Sequence, residues 1–123
     1  MSVITEYDSL LLDLDGTVYE GGRAIEHVVS ALSGAGLPVI YVTNNASRAP
    51  EVVAAQLREI GLADTTADNV MTSAQAACKM AAEKIPAGSK VYVLGSESFC
   101  ELATEAGFVV VDSADDKPVA VLH

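Results

Sequence analysis

Two aspartates separated by one residue are the side chains of this sequence best suited to chemistry. Asp13 and Asp15 stand in the string DLDGT, directly after the apolar run of residues 10–12. Two carboxylates at this spacing can point toward the same side, and in parallel α/β sheets ligands bind beyond the carboxyl ends of the strands. Gly16 permits a sharp turn, and Thr17 adds a hydroxyl. A solvated Asp-Gly turn without a ligand is the alternative interpretation of this string.

The same string does not fit a calcium-binding loop. Counted from Asp13 as the first position, the sixth position is Val18, where such loops need glycine, and the twelfth is Ala24, where they need glutamate. The cysteines suggest no metal site either, because Cys78 and Cys100 form no CxxC pair. We expect both to be reduced and to behave as small apolar residues.

A second polar cluster follows the next predicted strand. Residues 43–48 read TNNASR, and the side chains of Thr43, Asn44 and Asn45, with exposed backbone N–H groups, can bind phosphate oxygens. An Asn-rich loop that only caps a helix is the alternative. If both clusters follow strands of one parallel sheet, they lie at the same edge and can face each other, which favours a phosphate site.

Alternating strands and helices must position these clusters. Apolar periodicity and turn residues predict strands at 10–12, 39–42, 69–71, 91–94, 108–111 and 119–122. They predict helices at 26–35, 50–61, 72–84 and 98–107, with a capping box at residues 72–75 and a cap formed by Ser98 with Glu101. The short connections favour parallel crossovers and an α/β fold.

Charge and hydropathy narrow the function classes. The 123 residues carry a formal net charge of −10, from 7 Lys and Arg against 17 Asp and Glu, which argues against nucleic-acid binding. An anionic substrate would need a local positive field from a metal or from helix N-termini. The N-terminus lacks a signal-peptide pattern, and no apolar run approaches the roughly 20 residues of a membrane helix. We therefore expect a cytoplasmic protein without a membrane partner.

The two motifs resemble those of a known enzyme family. DLDGTVY after an apolar run, and VTNNASR at the end of the second strand, are similar to the motifs of the haloacid dehalogenase-like (HAD) phosphatases. The TNNASR string and the following PEVVAAQLREIGL narrow the resemblance to the NagD-like sugar phosphatase and 4-nitrophenylphosphatase branch. The resemblance implies a Rossmann-like HAD core with a parallel sheet, and the start of an inserted α/β cap domain.

The resemblance also implies a role for each motif residue. Asp13 would be the nucleophile that forms an aspartyl-phosphate, and Asp15 the general acid and base. Thr43 and the Asn44 backbone would hold the transferring phosphoryl group, and Asn45 would support their loop. Mg²⁺ would bind a carboxylate oxygen of Asp13 and the backbone carbonyl of Asp15. The implied activity is Mg²⁺-dependent hydrolysis of a small phosphorylated metabolite, such as a sugar phosphate.

The organisation of the family implies that the chain is part of a longer protein. Residues 1–81 resemble the N-terminal part of the core, and residues 82–123 the first part of the cap. The phosphate-binding lysine and further metal-binding acids come later in the family. We therefore expect the 123-residue chain alone to be weakly active or inactive, and its uncovered sheet edge admits a homo-oligomer.

Two details of the N-terminal region accompany the resemblance. Residues 18–25, with Gly21 and Gly22, would form a mobile flap beside the site. Glu26 and His27 stand where relatives usually carry Pro-Gly at the start of the first helix, a departure that affects helix entry rather than chemistry.

Two other function classes are considered. A nucleotide-binding oxidoreductase module shares the doubly wound layout, but the chain lacks GxGxxG after the first strand and has an acidic pair there instead. A non-catalytic binding or regulatory domain that kept the HAD fold is the second, and the intact Asp13 and Asp15 argue against it.

Overall fold

Parallel strands joined by helices form the framework of residues 3–123, the part of the chain that the computed structural model describes. The α-helices are α1 (Val28–Ala35), α2 (Pro50–Glu59), α3 (Ser73–Lys84) and α4 (Glu97–Glu105). The strands are β1 (Leu10–Asp13), β2 (Tyr19–Glu20), β3 (Arg23–Ala24), β4 (Val39–Thr43), β5 (Val70–Thr72), β6 (Lys90–Val93), β7 (Val109–Val111) and β8 (Ala120–Leu122). Short 3-10 helices cover Val3–Glu6, Ala67–Asn69 and Ala114–Asp116. The predicted α/β class is confirmed.

The chain divides into two compact units. The first comprises the described residues 3–43 together with Pro50–Met71, and the second comprises Asn44–Ala49 with Thr72–His123. The short segment Asn44–Ala49 therefore belongs with the second unit, although its neighbours in sequence belong to the first. The predicted division between residues 81 and 82 concerns the core and cap of the family, and it stays a prediction.

In the first unit, β1 and β4 pair in parallel. Their register aligns Leu10 with Val39 and Asp13 with Val42, so the two strands end at the same edge of the sheet, whose order is β1-β4-β5. Parallel neighbours need a crossover connection, and α1 lies in that connection. The strand predictions at 10–12 and 39–42 are confirmed, and they explain why the two polar clusters follow a common sheet edge.

The core of the first unit is built mainly from the loop after β1, from β4 and from α2. Leu14, Val18, Ala54 and Leu57 are fully buried there. Ala54 and Leu57 are three residues apart, so they lie on one face of α2. The remaining buried members are Tyr19, Tyr41, Val53, Leu62 and Val70.

In the second unit, β6 is the central strand of a parallel sheet with the order β7-β6-β8. Its core contains Phe99 from α4 and Cys78 from α3. Both cysteines of the chain are free thiols, Cys78 buried and Cys100 half-buried. The prediction of reduced, apolar cysteines fits these positions. The other buried core residues are Ala74, Val91, Ala103, Phe108 and Leu122. None of the helices in residues 3–123 is long and apolar enough to span a bilayer.

The starts of α3 and α4 differ in how well the sequence predicted them. The capping box of α3 is confirmed: Thr72 Oγ1 accepts from the Gln75 backbone N–H at 3.2 Å, and Gln75 Oε1 accepts from the Thr72 N–H at 2.8 Å. The predicted cap of α4 is wrong, because Ser96 rather than Ser98 is the N-cap and accepts from the Phe99 N–H at 3.3 Å. Ser98 lies inside the first turn, where its hydroxyl is not placed to cap the helix.

The start of α1 also differs from the prediction. The helix begins at Val28 rather than at residue 26, and His27 precedes it in the left-handed conformation, with φ +69°. A non-glycine residue in that region carries steric strain. The departure from Pro-Gly thus places a side chain at a backbone position that suits glycine.

Candidate active site

The acidic motif consists of two exposed aspartates on either side of a fully buried leucine. Asp13 ends β1, Leu14 has 0% exposure, and both Asp13 and Asp15 face solvent. Side chains alternate in direction along extended backbone, so burial of Leu14 turns its two neighbours outward together. The predicted common orientation of the two carboxylates agrees with this burial pattern.

The backbone after Leu14 folds onto the carbonyl oxygen of that residue. The N–H groups of Thr17, Val18 and Tyr19 donate to Leu14 O at 3.1, 2.9 and 3.3 Å. The Gly16 N–H donates to Tyr19 O at 2.9 Å, and Gly16 has φ +82°, a conformation that L side chains rarely adopt. We call residues 14–18 the β1 loop; its shape is fixed by its own backbone and by the burial of Leu14 and Val18.

The predicted flap is a two-stranded antiparallel hairpin. β2 and β3 align Tyr19 with Ala24 and Glu20 with Arg23. Gly21 and Gly22 connect them with φ of +56° and +82°, as a tight primed turn requires. Tyr19 is only 7% exposed, and its side chain belongs to the core of the first unit. The mobility of this hairpin stays a prediction.

Thr43 ends β4 at the same sheet edge as Asp13 but in a different environment. The register places Val42 beside Asp13, and Thr43 lies one residue further along β4. Its side chain therefore leaves the opposite face of the strand from that of Val42 and is 4% exposed, whereas both carboxylates are exposed. The structure thus places the three residues at one edge, and their action on one phosphoryl group stays a prediction.

Asn44 and Asn45 begin the segment that we call the β4 loop, residues 44–49. Asn45 Oδ1 accepts hydrogen bonds from both the backbone N–H and the hydroxyl of Ser47, the former at 2.9 Å. This is an Asx turn, in which the side chain replaces a backbone acceptor. The roles of Asn45 as support of the loop and of the Asn44 backbone in phosphate binding both stay predictions.

Three serines that were not predicted as site residues contact the β4 loop. Ser73, Ser96 and Ser98 each donate a hydroxyl hydrogen bond to a backbone carbonyl of this loop. They are 29, 50 and 51 positions from their acceptors. No local pattern reveals contacts at such separations, and serines at helix starts are more simply interpreted as caps.

The acidic residues that the structure describes do not form a complete metal cage. In residues 3–123 no group of three or more His, Cys, Asp or Glu side chains is arranged to hold a metal ion. Asp13 and Asp15 contribute two exposed carboxylates at a strand end, and oxygen donors of this kind suit a hard divalent cation. The donor set therefore fits part of a magnesium site.

A cavity in the first unit is lined by other residues. It has a volume of about 350 Å³ and is lined near the start of β4 by Pro38, Val39 and Tyr41, with Leu32, Leu62 and Thr65. Burial raises the pKa of the Tyr41 hydroxyl, and a hydrogen bond with the Thr65 side chain lowers it in part. None of the predicted site residues lines this cavity.

Comparison with known proteins assigns the family. The model of the haloacid dehalogenase-like hydrolases matches residues 10–109. The chain belongs to this family. It is 38% identical over 122 residues to D-glycerol 3-phosphate phosphatase of Mycobacterium tuberculosis, covering 99% of this chain and 34% of that protein. It is 39% identical over 109 residues to the acid sugar phosphatase of Staphylococcus saprophyticus, covering 86% of this chain and 41% of that protein.

Solved structures show the same relationship. The glycerol phosphate phosphatase of M. tuberculosis in complex with magnesium superimposes with a TM-score of 0.94 at 38% identity, over 98% of this HAD chain and 36% of the other. NagD from the E. coli K-12 strain gives a TM-score of 0.79 at 26% identity, over 93% of this chain and 44% of the other. The resemblance to the NagD-like branch is confirmed, and the chain spans between a third and a half of the length of these relatives.

Proposed function

We propose that the complete product of the gene that encodes this chain is an Mg²⁺-dependent phosphomonoester hydrolase of small phosphorylated metabolites. The observation that carries the proposal is the exposed pair Asp13 and Asp15, held at a strand end by the buried Leu14 between them. The relatives named as phosphatases of glycerol 3-phosphate and of sugars support this substrate class.

In the proposed reaction, a carboxylate oxygen of Asp13 attacks phosphorus. A bond from Asp13 to phosphorus forms as the bond to the leaving oxygen breaks, and protonated Asp15 gives its proton to that oxygen. Asp15 then takes a proton from water, whose oxygen attacks the aspartyl-phosphate and releases inorganic phosphate and the Asp13 carboxylate. Both carboxylates are exposed, as direct contact with substrate and water requires.

Magnesium fits the same residues. The exposed Asp13 carboxylate and the Asp15 backbone carbonyl are the oxygen donors that we propose for it, and a relative was solved with magnesium. When bound, the ion supplies positive charge that offsets repulsion between the Asp13 carboxylate and the phosphate. That contribution is needed in a chain whose formal net charge is −10.

The remaining phosphate contacts are proposed from the resemblance. Thr43 and the Asn44 backbone would hold the phosphoryl oxygens, with Asn45 as the loop support. Residues 1–81 and 82–123 would belong to the core and the cap. We further propose that the separate 123-residue chain turns over substrate far more slowly than a protein carrying the family's later lysine and acids.

Replacement of the nucleophile tests the proposal. With p-nitrophenyl phosphate and glycerol 3-phosphate as substrates, Asp13→Asn in the complete gene product should lower kcat by at least about 10³-fold, since a lost nucleophile removes the covalent route. Asp8→Asn, an exposed acid five positions earlier, is the matched control and should change little. Normal turnover by Asp13→Asn would refute the mechanism.

Trapping separates the catalytic proposal from a binding domain that kept the fold. Fluoroberyllate mimics a phosphoryl group on a carboxylate, so with Mg²⁺ it should bind the wild-type protein and not Asp13→Asn. Absence of binding that depends on Asp13 would favour the non-catalytic alternative.

The role of the Thr43 hydroxyl is tested by a pair of substitutions. Thr43→Val preserves the buried shape and removes the hydroxyl, whereas Thr43→Ser retains it. If the hydroxyl binds phosphate, kcat/KM should fall roughly 10²-fold in Thr43→Val and stay near wild type in Thr43→Ser. Equal activities would instead assign this side chain to packing.

A further inference from the structure

We propose that Ser73, together with Ser96 and Ser98, is a positioning residue that sets the orientation of the peptide groups in the β4 loop. The inference rests on the proposed function in one respect, namely that this loop holds the phosphoryl group. The new element is that side chains distant in sequence, in the unit to which the loop belongs, orient the backbone of the loop.

The strongest of these contacts comes from the start of α3. Ser73 is the first residue of that helix, directly after the N-cap Thr72, and its hydroxyl donates to the carbonyl oxygen of Asn44 at 3.0 Å. Because Thr72 already caps the helix, the Ser73 hydroxyl is not needed for capping. Its hydrogen bond goes instead to the Asn44 carbonyl of the β4 loop.

The start of α4 supplies the second and third contacts. Ser96 Oγ donates to the Ala46 carbonyl at 3.4 Å, and Ser98 Oγ donates to the Ser47 carbonyl at 3.4 Å. The two hydroxyls lie 2.9 Å apart, and because each has one proton, a hydroxyl that donates to the loop carbonyl does not also donate to its neighbour. Three hydroxyls from two helix starts therefore contact three carbonyls within four consecutive residues.

These contacts fix the direction of N–H groups as well as of carbonyls. In a trans peptide the C=O of one residue and the N–H of the next point in opposite directions, and the described chain has no cis peptide bond. With the carbonyls of Asn44, Ala46 and Ser47 turned toward the serines, the N–H groups of Asn45 and Arg48 point away from them. The N–H of Ser47 does the same and meets Asn45 Oδ1 at 2.9 Å.

The orientation is what a phosphate loop requires. Successive backbone N–H groups turned to one side of a loop bind anions, and their carbonyls must be satisfied elsewhere so that they do not repel the ligand. The serine hydroxyls lie within hydrogen-bond distance of three of those carbonyls. Loss of one of them should let its peptide rotate, which would weaken phosphoryl binding without touching Asp13 or Asp15.

Ser73→Ala is the cleanest test. Ser96→Ala would also remove the cap of α4, which accepts from Phe99 N–H, and the Ser98 hydroxyl lies 2.9 Å from that of Ser96. Ser73→Thr keeps a hydroxyl and should restore the wild-type behaviour. The matched control is Ser89→Ala, which deletes another serine-to-carbonyl bond of the same unit, from Ser89 Oγ to Pro86 O at 2.6 Å, with no contact to the loop.

The first readout does not depend on catalysis. Amide hydrogen exchange of Ser47, whose N–H is bonded to Asn45 Oδ1, is measured by NMR in the 123-residue chain. It should accelerate about tenfold or more in Ser73→Ala and remain at the wild-type rate in Ser73→Thr and Ser89→Ala. Equal rates in Ser73→Ala and Ser89→Ala would overturn the proposal. The free energy of unfolding is measured in parallel, so that a global loss of stability is recognised by faster exchange throughout the chain.

The second readout links the loop to the reaction. In the complete gene product, kcat/KM for p-nitrophenyl phosphate should fall about tenfold in Ser73→Ala, recover in Ser73→Thr and stay unchanged in Ser89→Ala. Unchanged kcat/KM in Ser73→Ala would contradict the role in phosphate binding. If the wild type has no phosphatase activity, the proposed function fails, while the exchange rates still decide whether Ser73 orients the loop.

Discussion

The β1 loop and the β4 loop follow neighbouring parallel strands, and they are held in opposite ways. In the β1 loop, the carbonyl of Leu14 accepts from two N–H groups of the loop and from that of Tyr19, and two fully buried side chains anchor the five-residue segment. In the β4 loop, the carbonyls bind hydroxyls that come from 29 to 51 positions further along the chain. One loop is stabilised locally, and the other depends on a folded second unit.

The difference teaches that loops after neighbouring strands can depend on unlike kinds of support, one local and one distant in sequence. The proposed nucleophile, Asp13, would benefit from a fixed position, because misplacement of the reacting atoms is costly, and the local bonds of the adjoining β1 loop favour such a position. The β4 loop, which we propose binds phosphate, depends instead on serine side chains distant in sequence. We therefore expect substitution of buried local residues to disturb the β1 loop, and substitution of serines distant in sequence to disturb the β4 loop.

The largest expected effect is the loss of the β1 loop anchor. Leu14→Ala should lower the free energy of unfolding by about 2–5 kcal/mol, because it leaves a cavity where a fully buried side chain stood. Leu11→Ala is the matched control, since Leu11 is 73% exposed and its truncation should cost no more than about 0.5 kcal/mol. Urea unfolding of both variants measures the difference, and similar values for the two would disprove the anchoring role.

A smaller loss is expected where α4 begins, next to the serines that support the β4 loop. A Cβ on Gly95 would lie 2.7 Å from Cδ1 of the buried Phe99 ring, so Gly95→Ala should destabilise the protein by about 1–3 kcal/mol. Gly34→Ala, in α1, meets nothing within 4 Å and should instead stabilise by up to about 1 kcal/mol. Thermal unfolding of both variants gives the sign, and a neutral Gly95→Ala would contradict the close packing.

The same contrast explains what the sequence could predict. The β1 loop depends on local features, namely an apolar run, DxDG and buried neighbours, so its place at a strand end and the outward direction of Asp13 and Asp15 followed from pattern alone. The capping box of α3 is equally local, since Thr72 and Gln75 are three residues apart. The family resemblance then added the roles, which neither burial nor spacing states.

The support of the β4 loop could not be predicted in that way. Ser96 and Ser98 both suit a helix start by residue type, and only the extended backbone of Ser96 decides which of them caps α4. The hydroxyl of Ser98 is then available to the loop, which lies near it only after the chain has folded. The burial of Thr43 depends in the same way on which face of β4 meets the core.

The residue before α1 has a strained backbone conformation, which a substitution can relieve. His27 has φ +69°, so His27→Gly should relieve strain of about 1 kcal/mol, part of which the greater freedom of glycine in the unfolded chain offsets. We expect a net stabilisation of about 0.5 kcal/mol, measured by urea unfolding. His27→Ala retains a Cβ and should give no gain; an equal gain would show that relief of the left-handed backbone conformation is not its cause.

The last prediction concerns the pH dependence of stability, which two ionisable side chains, one in each unit, affect only at alkaline pH. Burial raises the pKa of the Cys78 thiol above its ordinary value of 9.0, and that of Tyr41 above 10.0. The unfolded chain therefore loses these protons at a lower pH than the folded chain does. Each group contributes stability that is complete below its unfolded pKa and is lost as pH rises through the folded pKa.

The loss of stability at alkaline pH should begin at a lower pH for the thiol of the second unit than for the tyrosine of the first. The free energy of unfolding should fall from about pH 9 upward as Cys78 is affected, and more steeply above about pH 10 as Tyr41 joins it. Cys78→Ala should remove the first part of the decline, and Tyr41→Phe the second, although each also shifts the stability at neutral pH. Chemical unfolding from pH 7 to 11 measures the slopes. A wild-type slope between pH 9 and 10 that Cys78→Ala leaves unchanged would show that burial of this thiol in the second unit does not oppose its ionisation.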